Sequence, residues 1–135
     1  MNSMTVPVVT ALYAGLVGVL LVVLAGLVSR LRRARKVGLG DGGDKDLQRA
    51  IRVHGNAVEW AVPGVMLLFV AEMNRADPLL LHACGLAIVL GRVMHAYGLS
   101  GRSGVSIGRF WGSALSWTAV LVLALWCVVA FVRAL

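Results

Sequence analysis

Two unbroken apolar runs dominate the chain. Val6 to Val28 and Phe110 to Val132 each hold 23 residues without a charge. About 20 apolar residues cross a bilayer core of about 30 Å as a helix, so both predict membrane spans. Between them lie two runs in which polar residues interrupt the apolar pattern. Leu47 to Met73 carries Arg49, Arg52, His54, Asn56 and Glu59, and Pro78 to Leu99 carries His82, Arg92 and His95. Each is long enough to cross, and only Asn74-Arg75-Ala76-Asp77 separates them. Asp77 followed by Pro78 is a helix-start signal, an N-cap and then proline at the first helical position. The pattern predicts one all-α domain, an integral membrane four-helix bundle. Its spans are expected at about residues 6–30, 47–73, 78–99 and 109–133, with a cytoplasmic loop at 31–46.

Composition removes the alternatives. Of the 135 residues 59% are apolar and only 14% charged, with a mean hydropathy of +0.86. A soluble domain carries roughly 25% charged residues, and a disordered chain is poor in apolar ones. Two cysteines, Cys84 and Cys127, are too few for a disulfide scaffold. Small apolar packing is the expected role of both.

The net charge of +7 reads as orientation. Eleven basic residues, from Arg30 to Arg52 and at Arg92, Arg102 and Arg109, surround the first and third loops; Arg75 and Arg133 are the remaining two. The positive-inside rule places both long loops in the cytoplasm and both termini on the other side. The leader Met1 to Pro7 has no positive charge and a basic cluster follows the first run, so that run is expected to stay in the membrane. The basic run Arg30 to Lys36 lacks interleaved aromatics, which favours contact with anionic membrane lipids over nucleic acid. Lys36 to Asp46, with four glycines and mixed charge, reads as a flexible linker. No Gly-rich phosphate loop and no paired-cysteine metal signature is present.

The polar residues of the middle spans share a level and a face. The second helix enters from the cytoplasm and the third returns there, so both keep their polar groups in the cytoplasmic half. Glu59 lies roughly 18 Å along its helix, near mid-membrane. At about 100° per residue, Arg49, Arg52, Asn56, Glu59 and Pro63 fall within an arc of roughly 80°. Ile88, Arg92, His95 and Leu99 share a face of the third helix. A charge at mid-span costs at least ~2.5–3.5 kcal/mol. Arg52, Glu59 and Arg92 together would approach ~10 kcal/mol, a domain's whole stability. They must pair, or line a wet cavity. A structural Arg–Glu pair needs one cation and one acid, whereas this face offers several cations, an amide, an imidazole and a single carboxylate. The surplus suits an external polyanion carrying an ammonium. Glutathione has that inventory: its carboxylates suit arginines, its ammonium suits Glu59, and its peptide groups suit Asn56. Lowering its thiol pKa by two units from about 8.5 takes about 2.7 kcal/mol of preferential thiolate stabilisation.

The run Arg49-Ala-Ile-Arg52-Val-His54-Gly-Asn56-Ala-Val-Glu59-Trp-Ala-Val-Pro63, followed by Gly91-Arg92-Val-Met-His95-Ala-Tyr97-Gly98, resembles the MAPEG family, the membrane-associated proteins of eicosanoid and glutathione metabolism. The resemblance covers essentially the whole chain and is most specific in the Arg, Asn, Glu and Pro of the second helix. It implies a homotrimer of four-helix bundles with glutathione bound between subunits at the cytoplasmic side. By resemblance Arg52, Asn56 and Glu59 correspond to glutathione-contacting positions, Arg92 and His95 to the third-helix polar positions, and Arg109 to the fourth-helix arginine that holds the thiolate. Arg49, on the same face, completes the expected glutathione site with Arg92 and His95. Two departures mark the chain. Gly55 stands where several eukaryotic members have another arginine, and Leu99 stands where a tyrosine is expected one turn after His95. The sequence resembles the short bacterial branch, which implies a bacterial inner membrane. The expected function is a glutathione transferase or peroxidase with glutathione as co-substrate and a lipophilic electrophile as the other.

Several residues admit plainer roles. Arg109 and Arg102 can be interfacial anchors or topology signals. Ser106 and Ser113, one turn either side of Arg109, can donate to a thiolate or simply pack. His54 and His82 suit packing or interfaces, and His54 lies off the polar face, which disfavours haem ligation with His95. Trp111 and Trp126 suit interfacial belts, Trp60 and Trp117 deeper packing. Gly85, Ala87, Gly91 and Gly98 permit close helix approach. Two rivals remain at this stage: a non-catalytic scaffold of the same fold, and a small proton-coupled transporter using Glu59.

Overall fold

The computed structural model describes residues 6–101 and 106–135. Four helices follow one another: α1 (Val8–Arg35), α2 (Lys45–Met73), α3 (Pro78–Gly101) and α4 (Ile107–Ala134). All four are long and apolar enough to span a membrane. Among the described residues no strand is present.

The ends of the helices explain their lengths. α1 runs past its apolar stretch to Arg35, and Lys36 closes it at φ 55° with backbone N–H groups returning to Arg32 and Arg33. Asp44 caps α2 by accepting from the backbone N–H groups of Asp46 at 3.1 Å and Leu47 at 2.8 Å. The same carboxylate receives Arg35 at 3.0 Å, and Arg32 donates to the Gly40 carbonyl at 2.8 Å. The segment read as a flexible linker is therefore a short turn tied to both helices it joins. At the other end α2 and α3 form the tight hairpin that the sequence predicts. Asp77 accepts from Leu79 and Leu80, with Pro78 as the first helical residue.

α1 has no side-chain cap of its own, because Pro7 precedes it. Glu72, in the last turn of α2, supplies the missing acceptor. Its two carboxylate oxygens receive the N–H groups of Val9 at 2.9 Å and Thr10 at 2.7 Å. A carboxylate at a helix N-terminus also complements the helix dipole. Nearby, Tyr13 Oη lies 3.0 Å from His82 Nδ1 and donates to the His82 carbonyl, so His82 ties α3 to α1.

The core gathers Tyr13, Val17, Leu68, Leu81, Ile88 and Leu123 between the helices, with Leu24, Val53, Ala57 and Ala96 toward the loop end. α1 packs on α2 and α3 and, among the described residues, not on α4. Large apolar side chains such as Val19, Val22, Leu121 and Leu125 cover the outside, as a surface facing lipid requires. Cys84 and Cys127 are both free, Cys84 buried in the core and Cys127 half-buried beside it.

Candidate functional site

The site begins with a close helix crossing. α3 and α4 approach along glycines, and a Cβ on Gly112 would sit 2.6 Å from the Gly91 carbonyl oxygen and from the His95 nitrogen. A Cβ on Gly98 would come 2.7 Å from the Arg109 nitrogen. Small residues let backbones meet in membranes, and here they bring His95 of α3 beside the start of α4.

Within this seam Arg92 is 1% exposed. Its Nε donates to Ser116 Oγ at 2.9 Å, one Nη to Asn56 Oδ1 at 2.7 Å and the other to the Gly112 carbonyl at 3.0 Å. All three acceptors are neutral, and they lie on α2 and α4. Arg92 is thus a buried cation tying three helices, satisfied by hydrogen bonds in place of a counter-charge. It stands behind the cavity described next and is absent from its wall.

That cavity has a volume of about 350 Å³, within the range of roughly 300–1,000 Å³ typical of small-molecule sites. Arg49, Arg52 and Asn56 line it from α2, His95 and Leu99 from α3, and Arg109 from α4; Lys45 and Gln48 complete the rim. Among the described residues no Asp or Glu lines it. Arg49 reaches Asp46 at 3.6 Å outside it. A second, mostly apolar cavity of about 270 Å³ shares His95 and Arg109 with the first and adds Phe110, Ser113, Ala114 and Trp117. Trp117 stands 5.3 Å from Trp60, centroid to centroid. His95 and Arg109 therefore separate a cationic compartment from an apolar one.

Of the seven residues singled out in the sequence, five meet in one wall: Arg49, Arg52, Asn56, His95 and Arg109. Glu59 is not among them. It is exposed on α2, one turn deeper than Asn56 and at the edge of the polar arc. No hydrogen bond or ion pair joins it to another described residue. Pro63 has no N–H to give to the Glu59 carbonyl, so that helical hydrogen bond is missing at the same depth. Ser106 caps α4, accepting from Arg109 N at 3.3 Å while donating to the Gly98 carbonyl at 3.0 Å. Its one proton is committed there, whereas Ser113 stays in the apolar wall. Arg102 lies outside the described residues. Four contributors were not foreseen, Gln48 on the rim among them. Lys45 continues the Arg52–Asn56 arc one turn outward, a signal available from helical phase, while Ser116 and Gly112 announce themselves only through Arg92.

The model of the MAPEG family matches residues 10–129. The inner membrane protein YecN of Escherichia coli strain K12 is 42% identical over 117 residues, covering 87% of this chain and 88% of that protein. Its counterpart in Escherichia coli O6:H1 matches to the same extent.

Proposed function

The chain belongs to the MAPEG family, and from that premise we propose that it binds glutathione and transfers it to lipophilic electrophiles, or uses it to reduce peroxides, inside the membrane. One observation carries the reading. Lys45, Arg49, Arg52 and Arg109 line a single cavity into which, among the described residues, no carboxylate projects, so the cavity calls for an anion.

Glutathione answers that charge. Arg49 and Arg52 take its carboxylates through paired N–H donors, and Asn56 donates to a peptide carbonyl. Arg109, at the border of the two cavities, holds the sulfur as thiolate. The electrophile enters the apolar cavity beside Trp117. Carbon–sulfur bond formation there expels the leaving group with its electron pair, and the thiol proton has already gone to water. Excluding water from this border strengthens the Arg109–thiolate attraction.

The exposed Glu59 supports assembly. A mid-span charge facing lipid costs at least ~2.5–3.5 kcal/mol, so the face bearing Arg52 and Glu59 is covered by a neighbouring copy in a homotrimer. Glu59 then meets the ligand ammonium at the subunit seam. The basic loops face the cytoplasm of a bacterial inner membrane, the location named for the Escherichia coli relative, with both termini on the other side.

Thiol consumption tests the chemistry. Protein in lipid nanodiscs, given glutathione and an aryl halide, is expected to form the thioether, and Arg109→Ala to reduce the rate by about 10²-fold or more, the scale of a lost charge-stabilising donor. Equal rates in the two proteins would reject the role of Arg109.

A further inference from the structure

The end of the bundle away from the basic loops has its own cationic cavity. Arg75, in the α2–α3 turn, and Arg133, in the last turn of α4, are the only arginine or lysine residues the sequence places there. Far apart in the chain, they wall one cavity of about 380 Å³ with Asn74, Trp126, Val129 and Ala130. No acid lines it. Among the described residues neither guanidinium takes part in a hydrogen bond or ion pair. Arg75 also holds φ at 62°, a conformation in which glycine or asparagine is the ordinary choice. Both arginines further oppose the charge bias that orients the chain. Two such placements converging on one cavity require a reason.

We propose that this cavity binds the phosphodiester of an anionic phospholipid from the adjoining leaflet. Guanidinium forks match phosphate oxygens. Trp126 is half-buried in the same wall, two turns before Arg133 at the end of the span, where an amphipathic ring suits the interface. Deeper along α4 the exposed Val122 and Leu125 continue an apolar surface on which an acyl chain can lie. A soluble anion would have no use for that apolar wall. The site is independent of the glutathione cavity, since Arg109 and Arg133 are separated by about 36 Å along α4 at about 1.5 Å per residue.

The test reads Trp126 directly. Full-length protein is reconstituted with brominated-chain phosphatidylglycerol or brominated-chain phosphatidylcholine, and the Trp126 signal is taken as wild type minus Trp126→Phe. Half-quenching is expected at a roughly tenfold lower mole fraction of the anionic lipid, given the attraction of two arginines. The preference should vanish in Arg75→Gln/Arg133→Gln, weaken in the double lysine variant and survive in Arg30→Gln/Arg33→Gln. Circular dichroism checks that each variant folds. Equal quenching by the two lipids, or a preference that persists without Arg75 and Arg133, overturns the proposal. So does an equal Trp126 response to inorganic phosphate in wholly zwitterionic bilayers, which would assign the cavity to a soluble anion.

Discussion

Arg92 donates to the side-chain oxygen of Asn56 at 2.7 Å, and this bond fixes what Asn56 can offer the cavity. A guanidinium only donates, so the amide must turn its oxygen to Arg92. The NH2 group is left for the cavity side, as a donor. An invisible residue behind the wall thereby sets the polarity of one in it, and Asn56 adds a donor beside the cations that line the cavity.

Asn56→Asp separates these two roles. The new carboxylate pairs with Arg92, so the midpoint of thermal unfolding in detergent should stay level or rise. Facing an anion, it should weaken glutathione binding by at least about tenfold, or 1.4 kcal/mol. Loss of stability and binding together would deny Asn56 a separate place in the ligand site.

Arg92→Met leaves the Asn56 amide oxygen and Ser116 Oγ without their donor, while the Gly112 carbonyl keeps the Ser116 hydroxyl. Hydrogen bonds from charged groups contribute roughly 1.5–3 kcal/mol each, although relaxation recovers part of the sum. A stability loss of at least about 2 kcal/mol is expected from equilibrium unfolding, and a variant as stable as wild type would refute the tying role.

The sequence shows the spans because hydropathy is local, and it shows the Arg49–Arg52–Asn56 face because helical phase is local too. It hides Glu72, an acid in an apolar run whose partners, Val9 and Thr10, lie more than 60 residues away. The hint was the missing cap: Pro7 cannot serve α1, so an acceptor had to come from elsewhere. Arg92 shared a face with His95 on paper, but the glycine crossing at Gly91 and Gly112 sank it behind the cavity. Glu59 sat within the predicted arc, yet at its edge and one turn deeper, enough to leave the wall. Ser106 stood three residues before Arg109 in a helix-start position, and its capping role was legible from that spacing.

Glu72→Gln tests the borrowed cap. The amide keeps one acceptor but loses the charge that favours the start of α1, so a stability loss of about 1–2 kcal/mol is expected. Glutathione affinity should be unchanged, because Glu72 lies at the opposite end of α2 from the Arg49–Arg52 cavity. A shift in affinity comparable to the stability loss would show the two ends to be coupled.

Gly112→Ala places a Cβ against the Gly91 carbonyl and the His95 backbone. Overpacking of this kind costs about 1–3 kcal/mol, and the displaced His95 should lower glutathione affinity as well. Gly55→Ala meets nothing within 4 Å and should leave stability level or slightly raised, since alanine favours helix over glycine. Matching unfolding curves for the two variants would rule out the tight crossing.

The central claim is that a cationic cavity without carboxylates receives an anionic tripeptide. Isothermal titration calorimetry of the detergent-purified protein with glutathione tests it most directly. Saturable binding is expected, weakening as salt screens the arginines and lost in Arg52→Ala/Arg109→Ala at unchanged helical content. No saturable heat in the wild type, or an equal affinity in the double variant, would contradict the claim.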